Sequence, residues 1–470
     1  MPGFRWPSST TLRARLQQPT DTISAIATPP GTGGIGIVRL SGPRVPDIAR
    51  QLVGRLPAPR HAMLATFSDR DGSIIDTGIA LYFPAPCSFT GEEVLELQGH
   101  GGYFVLQSLL QRTLELGARP ARPGEFSERA FLNDKMDLMQ AEAIADLIES
   151  GTDAAARAAQ RSLQGVFSEQ VRSLQQQLMA LRVFVEAAID FPDEEIDFLA
   201  ESDVVARVEE TAAHLGALLR DARQGRILRD GIVLAIVGAP NAGKSSLLNA
   251  LSGQDSAIVT EVPGTTRDVL REWIDLDGIP VHVADTAGIR ETSDIVEAEG
   301  VRRARQALAS ADLVLLVEDA ADRGNTPTDV GIGLPERTAH LRILNKMDLM
   351  PGPELEQRMQ EAGRDPLWIS AKTGQGIDEL RRRIREAVGA AGGQDGRWTG
   401  SFSARQRHID ALLRAGEHLE RGKRAMTDSQ AGELLAEELR LAQQALGELT
   451  GEVLPDDLLG KIFSSFCIGK

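Results

Sequence analysis

The chain has 470 residues, which is enough for about three domains. Its formal net charge of −16, without any basic run, argues against a dedicated high-affinity nucleic-acid surface, because such a surface needs clustered positive charge facing the phosphates. Two cysteines, Cys87 and Cys467, exclude a disulfide framework and fit a reducing cytoplasm, and no apolar run approaches the roughly 18 residues that span a membrane.

Residues 1–20 differ in composition from the rest of the chain. They contain three arginines, several serines and threonines and no acidic residue, as organellar transit peptides do. The low lysine content and the high content of Ala, Gly and Arg suit a GC-rich bacterial genome. We therefore expect a disordered N-terminal extension or a misassigned bacterial start, with the transit peptide as the alternative.

Residues 21–134 alternate short apolar runs with Gly and Pro turns, which predicts an α+β domain. The runs lie at 35–40, 79–83 and 94–97. The segment GTGGIG at 31–36 matches the dinucleotide pattern G-x-G-x-x-G, but a strand-like run follows it where the pattern requires a helix. We therefore expect no dinucleotide site here.

The pattern becomes helical over 135–230 and again over 392–470. Ala, Leu, Gln, Glu and Arg recur at helical spacing in six segments, at 136–165, 166–189, 203–228, 405–427, 432–449 and near 455–463. An acidic break that contains a proline lies at 190–195. These patterns predict one helical domain that is split in sequence, with residues 231–391 inserted between its halves.

The inserted region begins with a phosphate-binding pattern. The segment GAPNAGKS at 238–245 matches G-x-x-x-x-G-K-[ST], between a strand-like apolar run and a helix-like run. Such a loop turns backbone N–H groups toward an anion at a helix N-terminus. We expect Lys244 to reach the β- and γ-phosphates and Ser245 to ligate Mg²⁺.

Two later motifs read the base. NKMD at 345–348 follows an apolar run, and Asp348 can accept both N–H groups on the Watson–Crick edge of guanine, for which adenine has no matching pair of donors. SAK at 370–372 is the short loop that backs the base in GTPases. Guanine is therefore the predicted base.

Two motifs that lie between the phosphate loop and the base-reading motifs are predicted to sense the γ-phosphate. DTAG at 285–288 ends a strand-like run, so that Asp285 holds the Mg²⁺ shell and the N–H of Gly288 faces the γ-phosphate. GTTRD at 264–268 supplies a switch threonine that ligates Mg²⁺ when the triphosphate is bound.

The order and spacing of these motifs predict a Ras-like G domain that binds GTP. The predicted Mg²⁺ ligands are Ser245 and Thr266. The predicted GTP-binding residues are Asn241, Ala242, Gly243, Lys244, Ser245, Ser246, Thr260, Glu261, Val262, Pro263, Gly264, Thr265, Thr266, Asp285, Thr286, Ala287, Gly288, Asn345, Lys346, Asp348, Ser370, Ala371 and Lys372.

Further motifs lie along the whole chain after residue 20. They are TPPG at 28–31, SFTG at 88–91, ELQGHGG at 96–102, RPGEFSER at 122–129, NDK at 133–135 and FCIGK at 466–470. With the G motifs, they resemble the bacterial tRNA-modification GTPase family MnmE, also called TrmE. The tail and the inserted G domain are far more specific than the GTPase motifs alone.

The resemblance implies an N-terminal domain like the folate-binding fold of glycine-cleavage aminomethyltransferases, through which a homodimer forms. It also implies an FAD-containing partner, MnmG (GidA), in a heterotetramer-type complex that adds an aminomethyl or carboxymethylaminomethyl group to C5 of the wobble uridine of certain tRNAs. The one-carbon donor is 5,10-methylenetetrahydrofolate, and 5-formyl-tetrahydrofolate is an expected bound analogue. The implied folate contacts are Arg39, Glu96, Lys135 and Lys470, and ordinary surface ion pairs are the alternative.

The sequence lacks two groups that Ras-like enzymes commonly use for GTP hydrolysis. Ile289 occupies the position where Ras-like enzymes have a water-orienting glutamine, and no arginine finger is evident. By resemblance, Glu297 orients the water through an intermediate, although a solvated acidic face is the alternative. The resemblance also implies a K⁺ ion in place of the arginine finger, with G domains of two protomers facing each other. Its ligands are the Asn241 side chain and the carbonyls of Thr260, Val262 and Thr265.

Cys467 allows more than one interpretation. The C-terminal CIGK has the spacing of a prenylation signal, but Gly469 is not aliphatic and a terminal lysine is a poor last residue. By resemblance the thiol lies near the folate, either as a nucleophile or as a structural contact.

Two alternative functions of the chain are a ribosome-assembly switch and a dynamin-like membrane scaffold. No RNA-binding appendage supports the first, and no basic amphipathic helix is apparent for the second.

Overall fold

The computed structural model describes residues 21–190, 201–239, 241–252, 273–284, 311–321, 339–363, 365–389, 401–429, 431–452, 456–464 and 466–469. By their contacts, the residues form two compact units. The first contains Met1–Ala145, Ser162–Leu215 and Ala411–Lys470, and the second contains Asp146–Arg161 and Gly216–Asp410. Across the described ranges, none of the helices is both long and apolar enough to cross a membrane.

The first unit contains a six-stranded sheet near its N-terminus. Its strands are β1 (Ile23–Ile26), β2 (Gly33–Ser41), β3 (Met63–Ser68), β4 (Ile74–Phe83), β5 (Val94–Gly101) and β6 (Arg119–Pro120). The spatial order is β3-β4-β5-β2-β1-β6, and the neighbours are antiparallel except for the parallel pair β1 and β6. Two helices, α1 (Val45–Val53) and α2 (Tyr103–Glu115), bury one apolar core against it. These elements confirm the predicted α+β domain and its three predicted strands.

Helices dominate the rest of the first unit. The helices that lie wholly or partly in it are α3 (Glu125–Leu132), α4 (Leu138–Glu149), α5 (Asp153–Leu163), α6 (Val166–Asp190), α7 (Glu201–Asp230), α11 (Gln406–Ser429), α12 (Gly432–Thr450) and α13 (Asp456–Ser464). The buried side chains of α6 recur every three or four residues, at Phe167, Val171, Leu174, Leu178, Leu181, Val185 and Ala188. This spacing forms one apolar face, which packs against α12.

The helical pattern over 136–165 does not form one helix. It forms two helices, α4 and α5, and both lie within the segment where the spacing predicts helical structure. The hydroxyl of Thr152 accepts a hydrogen bond from the N–H of Ala155 at 3.1 Å, and the hydroxyl of Ser150 donates to the carbonyl of Leu147 at 2.8 Å. Side-chain oxygens at these positions cap helix ends, so Ser150 and Thr152 end one helix and begin the next.

The second unit contains the other six-stranded sheet. Its strands are β7 (Ile232–Gly238), β8 (Trp273–Leu276), β9 (Ile279–Ala284), β10 (Leu313–Asp319), β11 (Ala339–Asn345) and β12 (Leu367–Trp368). The order is β12-β11-β10-β7-β9-β8, and only the pair β8 and β9 is antiparallel among these described strands. The helices α8 (Lys244–Ser252), α9 (Gly352–Ala362) and α10 (Ile377–Ala387) connect or follow the strands.

The topology of this sheet determines where a ligand can bind. After β7 the chain forms β8 and β9 on one side of it and then crosses to β10 on the other side, so the strand order reverses between β7 and β10. Open α/β sheets bind ligands at such a switch point, beyond the carboxyl ends of the strands. The predicted phosphate loop follows β7 and therefore lies at this edge, as expected for the predicted P-loop fold.

Candidate functional site

The loop between β7 and α8 has the backbone geometry that the glycine pattern predicts. At Gly238 an added Cβ would lie 2.1 Å from the carbonyl oxygen of Val317 in β10, so only glycine fits. Gly243 has φ 93°, and an added Cβ would lie 2.2 Å from Nδ2 of Asn345. Asn241 also has a left-handed φ of 64°. Two left-handed residues within three positions curl the loop immediately before the helix N-terminus.

Lys244 and Ser245 begin α8 at this loop. The ammonium of Lys244 donates hydrogen bonds to the carbonyls of Gly238 at 2.8 Å and Ala239 at 2.9 Å, which places it over the loop. Partial burial lowers its pKa from the usual lysine value. Ser245 is exposed in the first turn of the helix. A lysine over a loop of N–H groups at a helix N-terminus is suited to bind phosphate, and an exposed hydroxyl beside it can ligate a divalent cation.

Asn345 joins three loops of the site. Its side chain is buried, with 2% of the residue exposed. Its Nδ2 donates to the carbonyl of Ala242 in the phosphate loop at 2.9 Å, and its Oδ1 accepts from the N–H of Ala371 at 3.0 Å. The predicted base-reading motif, base-backing loop and phosphate loop are therefore held in one geometry by one amide.

Lys346 has a partner that the sequence did not reveal. Its ammonium lies 2.7 Å from Oδ2 of Asp319, at the end of β10. Burial alone would raise the pKa of Asp319, but the hydrogen bonds from Lys346 and from the N–H of Ala321 outweigh it, so the pKa is lowered and the group is a carboxylate at neutral pH. The ion pair fixes the side chain of Lys346. The main chain turns at this residue, where φ is 66°.

Asp348 is held by a serine from the neighbouring loop. The hydroxyl of Ser370 donates to Oδ1 of Asp348 at 2.6 Å and accepts from the N–H of Thr373 at 3.2 Å. Ser370 is buried, whereas Asp348 and Lys372 are exposed at the rim. One face of the Asp348 carboxylate is thus fixed and the other is available to a ligand, as base recognition requires.

Part of the predicted nucleotide site lies outside the described residues. These positions are Thr260, Glu261, Val262, Pro263, Gly264, Thr265, Thr266, Asp285, Thr286, Ala287, Gly288, Ile289 and Glu297. Of the two predicted Mg²⁺ ligands, the structure describes Ser245. Within the described ranges, no group of three or more His, Cys, Asp or Glu side chains is placed to hold a metal ion.

The first unit brings two predicted folate contacts together. Arg39 in β2 and Glu96 in β5 are directly opposite each other in the sheet, and the carboxylate of Glu96 lies 2.8 Å from Nη2 and 2.9 Å from Nε of Arg39. Nη1 of Arg39 donates to the carbonyl of Gly469 at 3.3 Å, which brings the C-terminal tail to the same place. The guanidinium also lies 5.9 Å from the ring centres of Phe89 and Phe126.

Lys135 lies at the loop that carries Phe89. Its ammonium donates to the carbonyl of Pro86 at 3.0 Å, and its side chain passes 3.3 Å from where a Cβ on Gly91 would stand. The thiol of Cys467 is exposed, and its carbonyl accepts from the N–H of Gly124 at 3.3 Å. Lys470 lies outside the described residues. Arg39, Glu96, Lys135 and the tail therefore border one region around residues 86–91.

A buried arginine, Arg129, forms a network of ion pairs next to this region. Arg129 is 1% exposed and forms ion pairs with Asp21 at 2.8 Å, Glu92 at 3.1 Å and Glu125 at 3.1 Å. Glu92 also accepts from the hydroxyl of Ser41 in β2 at 2.6 Å. Sequence reasoning did not identify this network, which anchors the residues that follow the Phe89 loop.

Comparisons with known proteins identify the family of the chain. The family model described as GTP-binding protein TrmE N-terminus matches residues 22–135, and that of the MnmE helical domain matches residues 138–467. The tRNA modification GTPase MnmE of Alkalilimnicola ehrlichii is 56% identical over 96% of this chain and 99% of its own, and that of Vibrio cholerae is 53% identical over 96% and 100%. A structure of Aquifex aeolicus Era bound to GDP·AlF4− is 26% identical over 40% of this chain and 66% of that one, but its TM-score of 0.27 carries no argument. The chain belongs to the tRNA modification GTPase MnmE family.

Proposed function

We propose that this GTPase acts in the cytoplasm with an FAD-containing MnmG (GidA) partner to add a carboxymethylaminomethyl or aminomethyl group to C5 of the wobble uridine of certain tRNAs. The observation that carries the proposal is the linkage through Asn345. One buried amide holds the phosphate loop and the predicted base-backing loop together, and the hydroxyl of Ser370 holds Asp348 beside them. In the proposal, Asp348 reads guanine at this position. In the proposal, the tRNA modification that accompanies GTP hydrolysis is inferred from the family.

The one-carbon unit for this reaction comes, in the proposal, from 5,10-methylenetetrahydrofolate. Its site is formed by Arg39, Glu96, Lys135 and Lys470. A guanidinium and ammonium groups suit the folate carboxylates, and a carboxylate suits the donor edge of the pterin. The ring of Phe89, which lies beside Arg39 and is 37% exposed, supplies a flat surface for a planar ring system. The exposed Cys467 thiol is then either a nucleophile or a contact of the folate.

Two cations complete the nucleotide site. In the proposal, Mg²⁺ is ligated by Ser245 and Thr266, and K⁺ by the Asn241 side chain with the carbonyls of Thr260, Val262 and Thr265. The described residues fit these ions, because Ser245 and Asn241 are both exposed at the phosphate loop and offer the oxygen donors that hard cations prefer. The ions supply positive charge where charge develops on the phosphates.

A homodimer through the N-terminal domain is supported by exposed apolar side chains. Ile35 is 67% exposed, Leu64 78%, Tyr103 67% and Phe104 82%. Tyr103 and Phe104 are neighbours whose ring centres lie 5.5 Å apart, and exposed apolar side chains of this size suit contact with another protein. We propose that the part of the domain around Tyr103 and Phe104 contacts a second copy of the chain.

The decisive experiment is mass spectrometry of wobble uridines in tRNA from a deletion strain of the source bacterium. The strain should lack the modified uridine, and the wild-type chain should restore it. Lys244→Ala and Arg39→Ala should fail to restore it, whereas Lys423→Ala, which changes a half-buried lysine on α11 paired with Glu209, should restore it. Normal modification in the deletion strain would contradict the proposal.

A further inference from the structure

Asp146 is a buried carboxylate with three partners from distant parts of the chain. It lies in the last turn of α4, and its side chain is 4% exposed. Its Oδ1 accepts from Nε of Arg229 and from Nη2 of Arg405, both at 2.7 Å, and its Oδ2 accepts from the hydroxyl of Ser403 at 3.0 Å. All four residues belong to the second unit.

The three partners mark the two connections of the nucleotide-binding sheet. Arg229 lies in the last turn of α7, which ends at Asp230, and β7 begins two residues later. Ser403 and Arg405 lie between α10, the last helix after the sheet, and the start of α11. One carboxylate therefore binds the segment that enters the sheet and the segment that leaves it.

The two connections also contact each other. At Gly225 in α7, an added Cβ would lie 2.4 Å from the carbonyl oxygen of Phe402. Arg161 in α5 donates through Nε to the carbonyl of Ser401 at 2.7 Å. Thr152 donates to the carbonyl of Gly278, in the turn between β8 and β9, at 3.1 Å. The segment from Asp146 to Arg161 thus bonds both to the exit connection and to the sheet.

A cavity lies beside this cluster and is bordered by the strand that leads to the predicted γ-phosphate sensor. The cavity has a volume of about 270 Å³ and is lined by Asp146, Arg229, Ser403 and His282, with Glu149 and Asp230 among the others. His282 lies in β9 and is the partner of Val233 in β7. It precedes Asp285, the first residue of the DTAG motif, by three positions. A shift of the end of β9 would move His282 within a space that can accommodate it.

We propose that Asp146 is a positioning residue that transmits movement of β9 during the GTP cycle to both connections of the sheet at once. The connections continue into long helices, α7 with 30 residues and α11 with 24, so a displacement at Asp146 moves the ends of these helices that lie in the second unit. Because all three donors converge on one buried carboxyl group, a displacement of one donor acts on the others through Asp146, and the cluster moves as a unit. Burial alone would lower the pKa of Arg229, but the attraction of Asp146 and neighbouring carboxylates raises it.

The test compares Asp146→Asn with Asp153→Asn in the full-length protein. Asp153 is a matched control, since it lies in the same unit but pairs only on the surface, with Arg157. Hydrogen exchange is measured by mass spectrometry with GDP and with GDP plus aluminium fluoride in K⁺. In wild type and Asp153→Asn, exchange over 146–161 and 401–410 should differ between the two nucleotide states. In Asp146→Asn that difference should vanish while the difference at the phosphate loop remains.

A kinetic measurement separates coupling from folding. Asp146→Asn should leave the KM for GTP within about twofold and lower the rate of tRNA modification about tenfold, within the roughly 5–150-fold range of coupling between sites. Ser403→Ala removes one of the three hydrogen bonds and should cause a smaller loss without a change in the midpoint of thermal unfolding. If Asp146→Asn does not fold, the rate of tRNA modification by Ser403→Ala tests the inference instead.

Two results would overturn the inference. One is a nucleotide-dependent exchange difference over 146–161 that is the same in Asp146→Asn as in wild type. The other is an unchanged modification rate in a folded Asp146→Asn or, where that variant does not fold, in Ser403→Ala. The inference rests on the proposed function, whose own failure is distinguishable, because wild type would then neither hydrolyse GTP nor modify tRNA.

Discussion

Nδ2 of Asn345 lies 2.9 Å from the carbonyl oxygen of Ala242, so the base-reading motif holds the phosphate loop directly. The two residues are 103 positions apart in the chain. The same amide accepts a hydrogen bond from the N–H of Ala371, in the predicted base-backing loop. Binding of the base and binding of the phosphates therefore depend on one buried side chain, and the affinity for nucleotide should be sensitive to it.

Replacing Asn345 with alanine should weaken GTP and GDP binding about tenfold or more. The change removes two hydrogen bonds and leaves the buried carbonyl of Ala242 unpaired, at a cost of about 1–3 kcal/mol. Isothermal titration with each nucleotide measures the effect. Asn249→Ala, at an exposed position of α8, is the control and should bind normally. Equal affinities in the two variants would show that Asn345 does not organise the site.

Local chemistry is what the sequence predicted well. Gly238, Gly243, Lys244 and Asn345 belong to short motifs whose spacing fixes their geometry, and the structure places them at one edge of a mostly parallel sheet. The strands β2, β4, β5, β7, β9, β11 and β12 and most helices coincide with runs or patterns recognised in the sequence. Thr152, which separates α4 from α5, acts through a capping hydrogen bond that composition and spacing alone do not reveal.

Partners that depend on strand register could not be predicted. Asp319 reaches Lys346 because β10 and β11 pair in parallel with Asp319 opposite Asn345. Asp146 meets Arg229 across 83 positions and Arg405 across 259. Neither relationship follows from the periodicity of one segment, because each depends on how distant segments pack.

Asp348→Asn should shift base preference from guanine toward xanthine. The amide loses one of the paired acceptors for guanine, and its N–H can donate to the extra carbonyl of xanthine. The ratio of GTP to XTP affinity should fall about 10²-fold or more, as the loss of charged hydrogen bonds worth about 1.5–3 kcal/mol each allows. A competition assay between the two nucleotides measures it. Ser370→Ala, which removes the hydroxyl that holds Asp348, should weaken binding and keep the preference for guanine.

Acid should destabilise the N-terminal domain through Glu125. Burial alone would raise the pKa of this carboxyl, but hydrogen bonds from Arg119, the N–H of Arg122 and Arg129 outweigh it and lower the pKa from 4.5 to about 2. Because the folded-state pKa is the lower one, the stabilisation is complete above pH 4.5 and is lost as the pH falls toward 2.

Glu125→Gln isolates this contribution. At neutral pH the free energy of unfolding of the variant should be about 3–5 kcal/mol lower than that of wild type, because the substitution removes one charge from a buried cluster. The difference from wild type should shrink between pH 4.5 and pH 2. Denaturant titrations at several pH values, followed by a probe in the N-terminal domain, measure both curves. A difference that is constant over this range would show that Glu125 is not ionised in the folded protein.

Glu297→Ala should leave GTP affinity near normal and reduce turnover about 10²-fold, as expected when a water-orienting group is lost. Single-turnover hydrolysis together with equilibrium binding separates the two quantities. The control is Glu299→Ala, which removes the same charge from the same acidic segment and should hydrolyse GTP normally. Loss of binding along with turnover would show that Glu297 has a structural role.

GTP turnover should depend on K⁺ through Asn241. Ile289 cannot orient water and no arginine finger is evident in the sequence, so charge developing between the β- and γ-phosphates needs a cation besides Mg²⁺ and Lys244. A monovalent ion at that position replaces a charge worth about 10³-fold or more when an arginine supplies it. K⁺ should therefore stimulate turnover, and the smaller Na⁺ should not if the cage has a fixed size. Turnover is measured at constant ionic strength in K⁺, Rb⁺, Na⁺ and Cs⁺, for wild type, Asn241→Ala and the control Asn249→Ala. Equal rates in Na⁺ and K⁺ would refute the K⁺ site, and full K⁺ stimulation of Asn241→Ala would show that another group binds the ion.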